Sequence, residues 1–334
     1  MRVLPYVVFE TTEKCNLRCG HCYNHYKAPG AASPLKSSYR GSMKTLRKLY
    51  SLADIRTLVM SGGEPFLAER FEELVLFARM KGSAVKILSN GCAGTLERYR
   101  KLIDMGSVAF QFPLHSAEAR VHDAVTGVAG SWERSLRSIA EVRSLGGEPF
   151  AVNVISRRNQ DGIGALLNLV IETGVKRVLF LRYNVGGPGA GNPEDLIVKK
   201  SALKEVFSVA EQYASGGKLA ITSNVCTPIC VIDPDDYPHV GFTHCSPDPA
   251  KLPVTVDYTG DFRRCNHSPV VLGNIFTGGL EPLFSLGDAR WESVPERCAG
   301  CAKFEKCRGG CRAAAEQYYR DAALPDPYIE LSGE

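Results

Sequence analysis

Twelve cysteines divide this chain of 334 residues, and their placement limits what it can fold into. Three lie near the start, in Glu13-Lys14-Cys15-Asn16-Leu17-Arg18-Cys19-Gly20-His21-Cys22-Tyr23. Eight lie in the last third: Cys226, Cys230, Cys245, Cys265, Cys298, Cys301, Cys307 and Cys311. Cys92 stands apart and reads as a small buried hydrophobe. The first group is spaced C-x3-C-x2-C and directly follows an apolar run, Val3 to Phe9, that predicts a strand. Three thiolates fill three corners of a four-iron, four-sulfur cube. The iron left without a protein ligand is open to a small molecule.

Between the two cysteine groups, short apolar runs alternate with longer amphipathic stretches. The predicted strands are Tyr6–Phe9, Thr57–Met60, Val85–Ser89, Val108–Leu114, Ala151–Ile155 and Arg177–Leu181. The predicted helices are Met43–Leu52, Phe71–Lys81, Leu96–Met105, Ser135–Leu145, Ala165–Thr173 and Ala202–Ala214. Repeated strand–helix units imply a parallel sheet with right-handed crossovers. Six units are too few to close an eight-stranded barrel, so an open, partial (β/α)6 barrel is expected. Active sites in such folds lie at the C-terminal ends of the strands. The three-cysteine loop, Ser61-Gly62-Gly63-Glu64-Pro65, Ser89-Asn90-Gly91, His115 and Asn184 therefore fall at one mouth. Composition changes near Asn224, beyond which Cys, Pro, Gly and Asp are dense. We expect a barrel domain over 1–224 and a second domain over 225–334, organised by metal more than by an apolar core. Within it, Val254–Tyr258 and Phe262–Arg264 predict a small hairpin.

The net charge of +4 is small, and no basic run marks a nucleic-acid or membrane surface. No apolar stretch approaches the ~20 residues of a membrane span, and the N-terminus has no signal-peptide pattern. A cytoplasmic location is expected. Cysteines in that reducing compartment favour metal ligation over disulfides. Zinc at the first group, with His21 or His25 as fourth ligand, is the plainer alternative, but zinc would not account for Gly62-Gly63-Glu64-Pro65.

With Cys15, Cys19, Cys22, the aromatic Tyr23 and the Gly62-Gly63-Glu64-Pro65 stretch one strand later, the chain resembles the radical S-adenosylmethionine (SAM) superfamily. The resemblance covers about the first two thirds. It implies a [4Fe-4S] cluster on Cys15, Cys19 and Cys22 whose open iron site chelates SAM. The bound cofactor is then cleaved by one electron to methionine and a 5′-deoxyadenosyl radical, which takes hydrogen from a substrate. Gly62 and Gly63 would let the backbone approach the methionine part of SAM, and Glu64 would balance its ammonium. Ser89, Asn90 and Asn153 are candidates for hydrogen bonds to SAM, and Arg182 for its carboxylate or the substrate. His115 is a candidate base or substrate contact; a hydrogen-bonded structural role is its alternative, as a salt bridge is for Arg182.

The last third resembles the SPASM domain, an auxiliary iron–sulfur domain of many such enzymes. Cys245, Gly260 and Cys265 fit its C-x9-15-G-x4-C element, and Cys298, Cys301, Cys307 and Cys311 fit C-x2-C-x5-C-x3-C. The resemblance implies that Cys245, Cys265 and Cys311 bind a first auxiliary cluster, with Cys226 or Cys230 as its fourth ligand. Cys298, Cys301 and Cys307 bind a second. The family's usual seventh cysteine is missing: Asp326-Pro327-Tyr328 is followed by Ile329. Asp321, Asp326 or an upstream cysteine would have to replace it, or one auxiliary cluster forms instead of two. The alternative for this region is a zinc-knuckle-like structural domain.

Relatives of this kind mainly modify ribosomally made peptides, so a peptide or protein substrate is the leading expectation. A small-molecule dehydrogenase, epimerase or decarboxylase acting on a sugar, nucleoside or cofactor precursor is the alternative. A non-catalytic iron–sulfur or zinc protein is the alternative of another class. The resemblance also implies a flavodoxin or ferredoxin as reductant. About a dozen residues precede Cys15, too few for an added leader-binding domain, so a separate leader-peptide-binding protein or direct substrate recognition is expected.

Overall fold

A computed structural model describes residues 2–31, 37–246, 251, 253–285 and 289–333. Its centre is a parallel sheet of β1 (Arg2–Glu10), β2 (Ala53–Ser61), β3 (Ala84–Leu88), β4 (Val108–Pro113), β5 (Phe150–Ile155) and β6 (Arg177–Arg182). Consecutive strands pair in that order, as strand–helix repetition requires. The helices are α1 (Tyr39–Leu52), α2 (Phe71–Met80), α3 (Leu96–Asp104), α4 (Ala119–Thr126), α5 (Ser131–Ser144), α6 (Ile163–Glu172) and α7 (Lys200–Ser215). Their starts are chemically marked. Ser38 and Thr95 accept the Gly41 and Arg98 amides, capping α1 and α3.

Two strands extend the sheet past β6. They are β7 (Ala220–Ser223) and the two-residue β8 (Gly241–Phe242), both parallel. The sheet stays open, with β8 at one edge. Strands covered on both faces carry continuous rather than alternating apolar runs. In β1, Val7, Val8 and Phe9 are all buried. This double burial is what makes the strands legible as runs.

The cysteine-rich segment does not hang free of this core. β9 (Val254–Asp257) adds in parallel to β1, and β10 (Asp261–Arg263) and β11 (Val271–Asn274) continue antiparallel. Val254, Val256 and Phe262 belong to the same apolar cluster as the barrel strands. Arg263 makes a buried ion pair with Glu10 of β1, and Thr45 Oγ1 donates to the Tyr258 carbonyl at 2.9 Å. Among the described residues, five short helices follow: α8 (Glu281–Ser285), α9 (Ala289–Glu292), α10 (Phe304–Cys307), α11 (Arg312–Tyr319) and α12 (Tyr328–Leu331). No helix among the described residues is long and apolar enough to cross a membrane.

Candidate iron–sulfur and SAM site

The three-cysteine loop leaves the C-terminal end of β1 and is stitched to the turn after β2. The Thr11 amide donates to the Ser61 carbonyl at 2.9 Å, Gly63 to Thr12 at 2.6 Å and Glu64 to Lys14 at 2.7 Å. The stitch explains both glycines. A Cβ on Gly63 would sit 2.1 Å from the Lys14 carbonyl oxygen, and one on Gly62 2.4 Å from that of Thr12. Gly62 also has φ +119°, which L side chains rarely adopt. The sequence suggests that these glycines make room for SAM; the cysteine loop already demands them.

Glu64 is fully buried at the junction of two loops. Its carboxylate accepts from the Phe66 amide (3.1 Å), the Asn90 amide (2.7 Å) and Ser89 Oγ (2.9 Å). Burial pushes its pKa up to about 7, against the pull of these donors. Glu64 therefore ties the turn after β2 to the turn after β3, and Ser89 is occupied in the same knot. Asn90 reaches further: its Nδ2 lies 3.7 Å from Cys15 Sγ and 2.7 Å from Asn16 Oδ1. Such donors to a ligating sulfur tune a cluster's potential.

Burial, then the neighbouring Cys22 and Cys15, pushes the Cys19 thiol up to about 12. Lys27, which no motif marks, also faces this group. Burial works against its charge, but Cys22 and Cys15 outweigh that and hold its pKa above the ordinary value. Tyr23 locks the loop to the C-terminal region. Its ring stacks on His267 at 4.2 Å, its hydroxyl accepts from Asn266 at 2.9 Å, and Gln317 donates to its carbonyl at 3.2 Å.

The other expected site residues have separate surroundings. His115 is buried, edge-on to His21 at 4.7 Å and beside His122 at 5.2 Å. Burial, then those two histidines, holds its pKa well below the ordinary range, so it is neutral. Its Nδ1 accepts the Val154 amide at 3.4 Å, which leaves the proton on Nε2. In that state it is a donor rather than a base. Asn153 Nδ2 donates to the Leu114 carbonyl at 3.0 Å, while its buried Oδ1 has no protein partner. Arg182 does not reach this group. It is wholly buried in an ion pair with Asp326 and donates to the Cys226 carbonyl at 2.9 Å. The salt bridge, rather than a cofactor contact, uses its guanidinium.

The later cysteines form two further groups. Cys245, Cys265 and Cys311 pack around Trp291, Ala313 and Ala322, and Cys226 is hydrogen-bonded to Cys245. Asn184 Nδ2 lies 3.3 Å from Cys311 Sγ and also meets His267 Nδ1. Tyr23, His267 and Asn184 thus link the first cysteine loop to this group. Cys230, Cys298, Cys301 and Cys307 line a separate cavity of about 790 Å³. Among the described residues, no three His, Cys, Asp or Glu side chains form a site for a single metal ion.

A profile of the radical SAM superfamily matches residues 9–169. Residues 9–169 are a radical SAM domain. It is 27% identical to PqqA peptide cyclase of Methylocella silvestris, over 97% of this chain and 86% of that protein. It is 26% identical to mycofactocin maturase MftC of Mycolicibacterium smegmatis, over 96% of this chain and 81% of that one. In fold it matches native anSMEcpe with bound AdoMet and the Cp18Cys peptide, with a TM-score of 0.74 at 16% identity, covering 98% and 94% of the two chains.

The residues fit the superfamily's cofactors, a [4Fe-4S] cluster and SAM. Three thiols share one loop, a cation lies beside them, and Asn153 Oδ1 offers a buried acceptor. The radical SAM loop is also sensitive to volume in a way that can be tested. Gly63→Ala should shift the cysteine loop and lower 5′-deoxyadenosine formation by about 100-fold, the cost of a 1 Å misplacement. Gly20→Ala, in the same loop, meets only Arg158 Nη1 at 3.7 Å and should be tolerated. A SAM-cleavage assay on both variants checks the contrast.

Proposed function

We propose that this protein matures a ribosomally made peptide or protein by radical SAM chemistry. The observation that carries the reading is similarity over almost the whole chain to peptide cyclase and peptide maturase relatives. It is supported by a cysteine loop linked through Tyr23, His267 and Asn184 to the Cys311 group. When bound, the cluster and SAM supply a 5′-deoxyadenosyl radical, which takes hydrogen from a substrate side chain or Cα. Cys15, Cys19 and Cys22 hold the cluster. Lys27 and Asn90 bias its charge, one as a cation and one as a donor. Glu64 fixes the two loops that frame SAM, and Asn153 Oδ1 accepts from a cofactor hydroxyl or amine. Neutral His115 donates from Nε2 and positions rather than abstracts. A flavodoxin or ferredoxin provides the electron.

The test is anaerobic incubation of the iron-loaded enzyme with SAM, a reductant and deuterated peptides encoded by neighbouring reading frames. We expect deuterium in 5′-deoxyadenosine and a changed peptide mass. Unchanged peptides alongside turnover of a sugar or nucleoside would overturn the substrate class.

A further inference from the structure

We propose that Cys230 replaces the missing seventh cysteine, completing a four-cysteine site for the second auxiliary cluster with Cys298, Cys301 and Cys307. This rests on the radical SAM reading above but concerns a different site. All four cysteines line one cavity. The Ile229 amide, next to Cys230 in the chain, donates to Cys307 Sγ at 3.3 Å. The segment carrying Cys230 is therefore docked on a sulfur of this group.

The two upstream cysteines are only four residues apart, yet they serve different groups. Pro228 lies between them and its carbonyl accepts the Val231 amide (2.8 Å) and the Ile232 amide (3.1 Å). This turn leaves Cys226 beside Cys245, while Cys230 faces the cavity. Neither site then lacks a ligand: Cys226, Cys245, Cys265 and Cys311 make one set, and the Cys230 group makes the other.

Of the carboxylates that line the cavity, Asp233 pairs with Lys303 and Glu330 accepts from Tyr319, and the two expected replacements are also engaged. Asp326 pairs with Arg182 and accepts the amides of Cys311 (2.8 Å) and Tyr328 (2.9 Å). Asp321 accepts the Ala323 amide at 2.8 Å within its own turn. Ile329, which follows the Asp-Pro-Tyr stretch where relatives carry their last cysteine, lines the same cavity. Cys230 and Ile329 therefore line one cavity.

The experiment uses full-length protein, reconstituted anaerobically with iron and sulfide, and counts iron, acid-labile sulfide and zinc alongside Mössbauer spectra. Three filled clusters correspond to about twelve irons. Cys230→Ala should reduce iron and sulfide to about two thirds of wild type, whereas Cys92→Ala should leave both unchanged. Adding Ile329→Cys to Cys230→Ala should restore the full count. Cys230→Ser, which keeps an oxygen ligand, should change the reduced-state EPR signal of one cluster and spare the others. Full iron in Cys230→Ala with an unaltered Cys230→Ser spectrum would overturn the assignment, as would zinc at this site in wild type. Loss of SAM cleavage in wild type with these counts intact would instead sink the catalytic reading alone.

Discussion

Replacing Cys15, Cys19 and Cys22 together by alanine should stop 5′-deoxyadenosine formation while leaving a folded protein that still holds its C-terminal clusters. The loop does not need its thiols to stay in place. The Arg18 amide donates to the Thr126 carbonyl at 3.0 Å, and Gly63 and Glu64 hold Thr12 and Lys14. Phe9 and Leu17 are buried on either side of the first cysteine. Iron and sulfide should each fall by about four per chain, the content of one cube. Outer-shell changes at metal centres cost roughly 10–100-fold, so removing all the ligands should cost more than that. Asn90→Ala, which removes the donor to Cys15 along with its bonds to Asn16 and the Cys92 amide but no ligand, marks the lower end of the range and should keep its iron. Persistent SAM cleavage in the triple variant would refute the assignment of this loop.

Much of the fold was readable because burial and periodicity agree. The six strands of the barrel appear within a few residues of the apolar runs, and α2, α3 and α6 lie close to the amphipathic stretches. β7 and β8 escaped notice because Ala-Ile-Thr-Ser and Gly-Phe are too short to show a pattern. Their strand character comes from pairing with β6 and with each other. Helix α4 was hidden by polar residues with tertiary partners, such as His122, whose Nδ1 accepts the His115 amide at 3.1 Å.

The site was legible as chemistry but not as wiring. Spacing identified the cysteines, yet Cys226 and Cys230 looked interchangeable, since nothing in a one-dimensional pattern shows which way the Pro228 turn sends each thiol. Lys27 and Asn184 carry no motif and acquire their roles only through folding. Glu64 was recognised, but its task depends on Ser89 and Asn90, twenty-five and twenty-six residues away.

The same limit governs Arg182. At the end of a barrel strand it reads as a ligand contact, but its partner lies 144 residues further on. Asp326 anchors Arg182 on one side and the Cys311 amide on the other, while the guanidinium packs 4.6 Å over the Tyr328 ring. Both side chains are completely buried. Burial raises the Asp326 pKa and the Arg182 charge opposes that rise. Asp326→Ala would strand a guanidinium in the interior, and breaking a buried pair this way costs about 3–5 kcal/mol. We expect a loss of that size in anaerobic urea unfolding of the cluster-loaded protein. Iron should also leave the Cys226, Cys245, Cys265 and Cys311 group, because the pair touches the backbone of Cys311 and Cys226 directly. Arg182→Leu combined with Asp326→Leu removes both charges and should recover much of the stability, since apolar replacements of buried pairs are often neutral. A single Asp326→Ala variant within about 1 kcal/mol of wild type, well below the expected cost, would show that the pair is not what holds the barrel to the cysteine-rich segment.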